Sequence, residues 1–376
     1  QAKGTRMMKK FTKTLLTLGL AAVLLAGCGN TTQPSGETEP IAVETTGEET
    51  KETVAEPETE SDEEIVAETA DTELNEVRVG SLKGPTTIGL LELMNASGNH
   101  YTFTMATQAD ELTGMLVKGD LDIALIPANL AAVLYWSSNA ELQIIDVNTL
   151  GVLYMVSNDG EINSVEDLKG RTIYLTGKGT SPDIVLQYLL EANGISADEV
   201  TLEYKTEATE VAAVLAAEEQ QGKAAVGVLP QPFVTAACAQ NANLQVVLDL
   251  TKEWEKVQQD GSSLVTGVTV ATKAFIEEHP EAVEAFLADH EKSVVYVNEN
   301  VEQAAAWAVE KEIIAKEPIA QKAIPNCNLV CITGAEMKQA LTGYFRTLYE
   351  ANPQVVGNPS TPPEDTLWDD LYYGAE

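Results

Sequence analysis

One segment of this chain is built twice, and that repetition constrains the fold more than any other feature. In its clearer copy, Thr172 to Thr176 is β-branched and aromatic and reads as a short buried strand. Gly177 and Gly179 permit a tight turn, Ser181 suits an N-cap, and Pro182 suits the first helical position, where no N–H is needed. Ile184, Val185, Tyr188 and Leu189 share one helical face, with Gly194 as C-cap. Such a turn aims backbone N–H groups and the Thr180 hydroxyl outward from a helix N-terminus, a geometry that accepts an anion or a polar oxygen.

The other copy runs from a strand at Val77 through Gly84-Pro-Thr-Thr87, a helix Ile88 to Asn95 and Gly98. A strand Tyr101 to Met105, a helix Asp110 to Gly119 and a strand ending at Pro127 follow. After Gly194 the clearer copy continues with strand Val200 to Tyr204, helix Glu207 to Glu219 and strand Ala225 to Leu229 before Pro230. The pairs Gly84/Gly179, Gly98/Gly194, Glu111/Glu210 and Pro127/Pro230 are offset by 95, 96, 99 and 103 residues, the slow growth that small loop insertions produce. Each copy is β-α-β-α-β. The expected fold class is therefore α/β: two lobes, each a mostly parallel sheet with helices on both faces. A ligand clamped between them would sit at the carboxyl ends of the strands. The β-rich run Val265 to Thr272, a helical region from Ala274 to about Ala315, and a helix Met337 to Tyr349 return to the first lobe, making a two-stranded hinge. The expected lobes are 77–155 with 264–376, and 156–263.

Gly177-x-Gly179 with Glu203 downstream mimics half of a dinucleotide fingerprint, but Pro182 stands where the third glycine belongs. No cofactor is expected.

Gln1 to Arg6 read as residues ahead of a natural start. From Met7 the pattern is secretory: Lys9, Lys10 and Lys13, then an apolar core Leu15 to Leu25, too short for the ~20 apolar residues of a membrane span. Leu25-Ala-Gly-Cys28 follows, the lipobox order in which the Cys28 thiol is acylated, so 1–28 reads as a lipoprotein signal peptide. In the stretch 29–76, sixteen acids against Lys51 give a local charge of −15, with no aromatics. Such a segment cannot bury enough surface to order itself and reads as an extended tether.

The net charge is −35, of which the 300-residue body from Val77 carries −25. Repulsion excludes a nucleic-acid partner. Cys238, Cys327 and Cys331 form no paired cluster, and His100, His279 and His290 share no ligand spacing, so no metal site is expected.

The order Leu25-Ala-Gly-Cys28, Gly84-Pro-Thr-Thr87, Val165-Glu-Asp-Leu-Lys-Gly-Arg171, Leu229-Pro-Gln-Pro-Phe-Val-Thr235 and Phe275-Ile-Glu-Glu-His-Pro280 carries a resemblance. The chain resembles the substrate-binding lipoproteins of ABC importers, of the nitrate/sulfonate/taurine and thiamine-precursor type, with the periplasmic-binding-protein type II fold. Gln231 departs from the glutamate often found between the two prolines. The resemblance implies a monomer, lipid-anchored through Cys28 at the outer face of the cytoplasmic membrane, that hands a small-molecule solute to ABC permease subunits and is not an enzyme. An extracellular sensor or an enzyme on the same fold are the alternatives. No His–acid pair or Cys–His constellation is legible in the sequence to support the enzyme.

Gly84, Pro85, Thr86 and Thr87 form the expected first-lobe half of the site, and Gly179, Thr180 and Ser181 the second-lobe half. Asn129, after the Pro127 turn, and Gln231, in the matching place, are candidate amide donors. Tyr154, near the first crossover, is a candidate apolar wall, with Trp254 and Asn326 as additions. Arg78 and Arg171 stand at strand starts, far from such a site, so an arginine clamp on a carboxylate is not expected. The expected ligand is a small organic solute with one polar or anionic head: a sulfonate first, a neutral pyrimidine-like heterocycle second.

Overall fold

The computed structural model describes residues 76–375 apart from 97, 99 and 139. The expected signal peptide, Cys28 and nearly all of the acidic tether lie outside the described residues.

The strands among the described residues are β1 (Val77–Leu82), β2 (Tyr101–Ala106), β3 (Ile123–Pro127), β4 (Leu142–Leu150), β5 (Leu153–Ser157), β6 (Thr172–Thr176), β7 (Thr201–Lys205), β8 (Val226–Pro230), β9 (Gln245–Asp249), β10 (Val265–Thr272) and β11 (Leu329–Ile332). The helices are α1 (Pro85–Ile88), α2 (Leu91–Asn95), α3 (Ala109–Lys118), α4 (Ala128–Ser137), α5 (Ser181–Ala192), α6 (Ala208–Gln220) and α7 (Phe233–Gln240). They continue with α8 (Leu250–Val257), α9 (Lys273–Glu278), α10 (Pro280–Glu299), α11 (Val301–Glu310), α12 (Glu317–Ala323) and α13 (Gly334–Ala351).

One sheet runs β11-β4-β10-β3-β1-β2 and the other β7-β6-β8-β5-β9. The repeat is plain in the pairing. β1 lies parallel to β2 with Val77 opposite Tyr101, and β6 lies parallel to β7 with Thr172 opposite Thr201. In each copy the third strand flanks the first, giving β2-β1-β3 and β7-β6-β8. Beside each third strand lies a strand that has just crossed from the other lobe and runs antiparallel: β10 against β3, β5 against β8. Most strands of each sheet run one way, as expected, and only β10 and β11 in the first sheet and β5 in the second run against the others. This is a two-lobed α/β architecture.

The chain passes between sheets at Gly151–Val152, so Tyr154, on the first-lobe side of the expected boundary, pairs within the second sheet with Leu229. Gly151 suits this passage, since a Cβ there would meet Thr251 Oγ1 at 2.2 Å. The helix expected from Ile88 to Asn95 is broken at Gly89–Leu90, where α10 packs so close that a Cβ on Gly89 would meet Val294 at 3.3 Å. The long helical region after Ala274 divides at Pro280, which starts α10, and at Asn300. Gly194 takes the left-handed position just past α5, at φ +72°.

Candidate functional site

Where the two lobes face each other, the carboxyl ends of three parallel strands converge on one cleft of about 280 Å³. Pro127 ends β3, Thr176 ends β6 and Pro230 ends β8, and all three line it. Asn129 at the start of α4 and Thr180, Ser181, Pro182 and Val185 at the start of α5 close two sides. Both crossing segments contribute, through Val152–Leu153 and Leu264–Thr266, and Tyr344 of α13 closes the remaining side. The cleft therefore lies on the hinge itself.

The lining is apolar with a few hydroxyls and one amide. No lysine, arginine, aspartate, glutamate or histidine is among the residues that line it. The three arginines of the body are engaged elsewhere: Arg78 with Asp122, Arg171 with Asp159 and Glu161, Arg346 with Asp260 and Glu364. Burial pushes the Tyr344 phenol up to about 12, with its hydrogen bond to the Ser181 hydroxyl pulling the other way, so it is a neutral hydroxyl at physiological pH.

The α5 turn forms as its glycines dictate. Gly177 lies at φ +75°, and a Cβ on it would meet Thr180 Oγ1 at 2.5 Å. That hydroxyl donates to the Gly177 carbonyl at 2.6 Å. The Gly179 amide, expected to be open to a ligand, donates instead to Asp183 Oδ2 at 2.7 Å. Asp183 is buried, and its other oxygen accepts from Gln187 Nε2 at 2.7 Å and from the Tyr204 hydroxyl at 2.8 Å. The chain's own carboxylate thus fills the anion position at this turn.

Of the sequence-derived candidates, Asn129, Thr180 and Ser181 come together around the cleft. Gly84, Pro85, Thr86 and Thr87 stand at the end of β1 but are not among the lining residues. Thr86 Oγ1 donates to the Leu82 carbonyl at 2.8 Å, and Thr87 Oγ1 sits 2.7 Å from the same oxygen, both side chains buried. They close the strand-to-helix turn on itself. Gly179 holds Asp183 rather than lining the cleft. Gln231 is buried beside it, its backbone N–H donating to the Val152 carbonyl at 3.0 Å and its side-chain Oε1 accepting from Thr235 at 2.7 Å. Tyr154 turns away from the cleft into the core between β5, β8 and α7, and its hydroxyl reaches across the lobes to the Asn326 carbonyl at 2.8 Å. Trp254 is buried behind Tyr344, with ring centroids 6.0 Å apart. Sequence reasoning missed Tyr344, Thr266 and Leu264. The prolines ending β3 and β8 were visible in the repeat, whereas nothing local marks Tyr344 within its amphipathic helix.

Two lateral contacts hold the lobes together around the cleft, α5 against α13 and α7 against α12. The family model described as NMT1/THI5 like matches residues 142–304, somewhat less than half of the chain. No curated protein matches this chain. Among solved structures, an ABC transporter from Parabacteroides distasonis superposes with a TM-score of 0.64 at 23% identity, covering 77% of this chain and 96% of that one. The periplasmic aliphatic sulphonate binding protein SsuA from Escherichia coli follows with 0.61 at 16% identity, covering 80% and 92%. The alkanesulfonate-binding protein SsuA from Xanthomonas axonopodis pv. citri, bound to MOPS, gives 0.53 at 13% identity, covering 76% and 95%. The fold is that of the periplasmic solute-binding proteins.

Proposed function

We propose that this protein is a non-enzymatic solute-binding subunit of an ABC importer. It captures a small organic solute between its lobes and delivers it to a membrane permease. The single observation that carries this reading is the cleft on the hinge, where strand ends from both sheets and both crossing segments meet. A ligand there touches both lobes at once, so its binding energy is available to bias closure. At about 280 Å³ the cleft is smaller than the roughly 300–1,000 Å³ of drug-sized pockets, which limits the solute to a small molecule. Its hydroxyls lack the neighbouring base that nucleophilic catalysis requires. Acylation of Cys28 would hold the protein at the outer face of the cytoplasmic membrane, with 29–76 as its tether.

Charge supports one of the two solute classes over the other. A helix N-terminus contributes about 0.3–1 kcal/mol to an anion, up to ~2 when partly buried. At α5 the Asp183 carboxylate already takes that place. Micromolar binding needs roughly 8 kcal/mol. Burying about 200 Å² of apolar ligand surface at ~25 cal/mol/Å² supplies about 5 kcal/mol, and hydrogen bonds to Asn129, Thr180, Ser181 and Thr266 add to it. The lining therefore favours a neutral heterocycle, pyrimidine-like in size, over the sulfonate, nitrate or taurine that the resemblance puts first.

A thermal-shift panel of neutral pyrimidines, alkanesulfonates, taurine, nitrate and amino acids tests this. The largest stabilisation is expected from a neutral heterocycle. Stabilisation by sulfonates alone overturns the neutral solute and keeps the binding role. If cells lacking the gene take up the stabilising solute as fast as the parent, the transport role fails.

A further inference from the structure

A second constellation lies in the first lobe, behind its sheet. Asp146 of β4 and His290 of α10 are fully buried, with His290 Nδ1 3.0 Å from Asp146 Oδ2. Cys331 of β11 brings its thiol to the same place, so that one donor atom from each of the three lies within 4.8 Å of the other two. The residues come from three elements far apart in the chain, which is why no ligand spacing is visible in the sequence.

The carboxylate is held in orientation. Its Oδ1 accepts from Thr269 Oγ1 at 2.7 Å, Thr269 Oγ1 accepts from Asn148 Nδ2 at 3.1 Å, and Asn148 Oδ1 accepts from Thr149 at 2.9 Å. Outer partners of this kind fix ligating carboxylates in metal sites. A carboxylate only accepts, so Nδ1 carries the imidazole proton here, while Nε2 is buried without a hydrogen-bond partner. Of the three, Cys331 alone reaches the surface, Asp146 and His290 being fully buried. Cys331 lines a surface groove of about 390 Å³ together with Glu291, Thr333 and Glu336. Burial, then Asp146 and Glu291, push the thiol pKa up, and a bound cation reverses that balance.

We propose that Asp146, His290 and Cys331 form a binding site for a thiophilic divalent metal ion of the zinc class, loaded through the groove between Glu291 and Glu336. Carboxylate oxygen, imidazole nitrogen and thiolate sulfur are the donors zinc takes, at bonds of about 2.0–2.3 Å. Tetrahedral bonds of that length place ligand atoms roughly 3.5 Å apart, so donors already within 4.8 Å need only small side-chain rotations. Three protein ligands leave a fourth position for water. On binding, the thiol proton leaves to solvent and the imidazole proton moves from Nδ1 to Nε2, so one proton is released per ion.

Titration of the full chain with Co²⁺ tests the site, because cobalt reports its ligands in absorbance. One equivalent is expected to give a thiolate-to-cobalt charge-transfer band and the intense visible bands of four-coordinate cobalt, both abolished by added Zn²⁺. Cys331→Ala removes both, and Cys238→Ala keeps both. Should the alanine variant fail to fold, Cys331→Ser keeps the side-chain size and is expected to lose the charge-transfer band. Absence of that band in the wild type overturns the proposal. So does its persistence without Cys331, which would assign the thiolate to Cys28, Cys238 or Cys327.

Discussion

The Asp183 carboxylate accepts a hydrogen bond from the Gly179 amide at 2.7 Å, so the turn that opens α5 carries its own anion. The same side chain ties Gln187 and Tyr204 to the turn, and the Lys178 ammonium lies 5.1 Å from the centre of the Tyr204 ring. Asp183→Ala leaves these donors without an acceptor in a buried place. It is expected to lower stability by roughly 2–4 kcal/mol, read from denaturant midpoints. Asp183→Asn keeps the volume and removes the charge, and is expected to improve alkanesulfonate binding relative to wild type. Unchanged stability in the alanine variant would remove Asp183 from the structural account of the turn.

Tyr154 joins the lobes through its hydroxyl bond to the Asn326 carbonyl. Tyr154→Phe deletes that one bond, worth about 0.5–1.5 kcal/mol, and leaves the ring in its core. Small-angle scattering of the unliganded variant should show a larger radius, with affinity for the solute reduced by up to about tenfold. A radius and affinity both equal to wild type would mean that the lobes are held elsewhere.

Thr86 and Thr180 occupy matching turns, yet only Thr180 lines the cleft. Thr180→Val, which also deletes the hydroxyl's bond to the Gly177 carbonyl, is expected to weaken solute binding several-fold. Thr86→Val, whose hydroxyl is bound to Leu82, is expected to cost about 1 kcal/mol of stability with affinity nearly unchanged. Leu153→Trp fills the cleft and should abolish ligand-induced stabilisation while the far-ultraviolet spectrum stays the same. Calorimetric titration decides among the three. A larger affinity loss at Thr86 than at Thr180 would move the first-lobe half of the site back to the Gly84 turn.

Arg346 pairs with both Asp260 and Glu364. Burial tends to raise the Asp260 pKa, but Ser262 and Arg346 together hold it below the ordinary carboxylate value. A lowered folded-state pKa means stability that is present above the unfolded value, near 4, and lost as pH falls through the folded one. The melting-temperature gap between wild type and Arg346→Met should therefore be constant above about pH 5 and shrink below about pH 4. A gap unchanged at pH 3 would contradict the pairing.

Much of the fold was legible because it is written in local terms. Gly194 past α5, Pro182 in its first turn, and the prolines ending β3 and β8 each act through their own backbone, and their recurrence exposed the repeat. Strand–turn–helix units therefore followed from the sequence, and with them the expectation of a cleft at the strand ends. The break at Gly89 was not legible, since it depends on α10 arriving from two hundred residues away.

The sequence by itself determined the two β-α-β-α-β units, the parallel pairing inside each, the return of the C-terminal block, and the placing of Arg78 and Arg171 at strand starts away from the cleft. Tertiary structure alone decided which polar groups line the cleft. Thr86, Thr87 and Gly179 look as available in sequence as Ser181 and Asn129, but a hydroxyl or amide bonds to whatever acceptor packing brings within about 3 Å. For the first two residues that acceptor is the end of their own strand, and for Gly179 it is Asp183. The same reason hid Tyr344 and the Asp146–His290–Cys331 cluster, whose members meet only when distant elements close on one sheet.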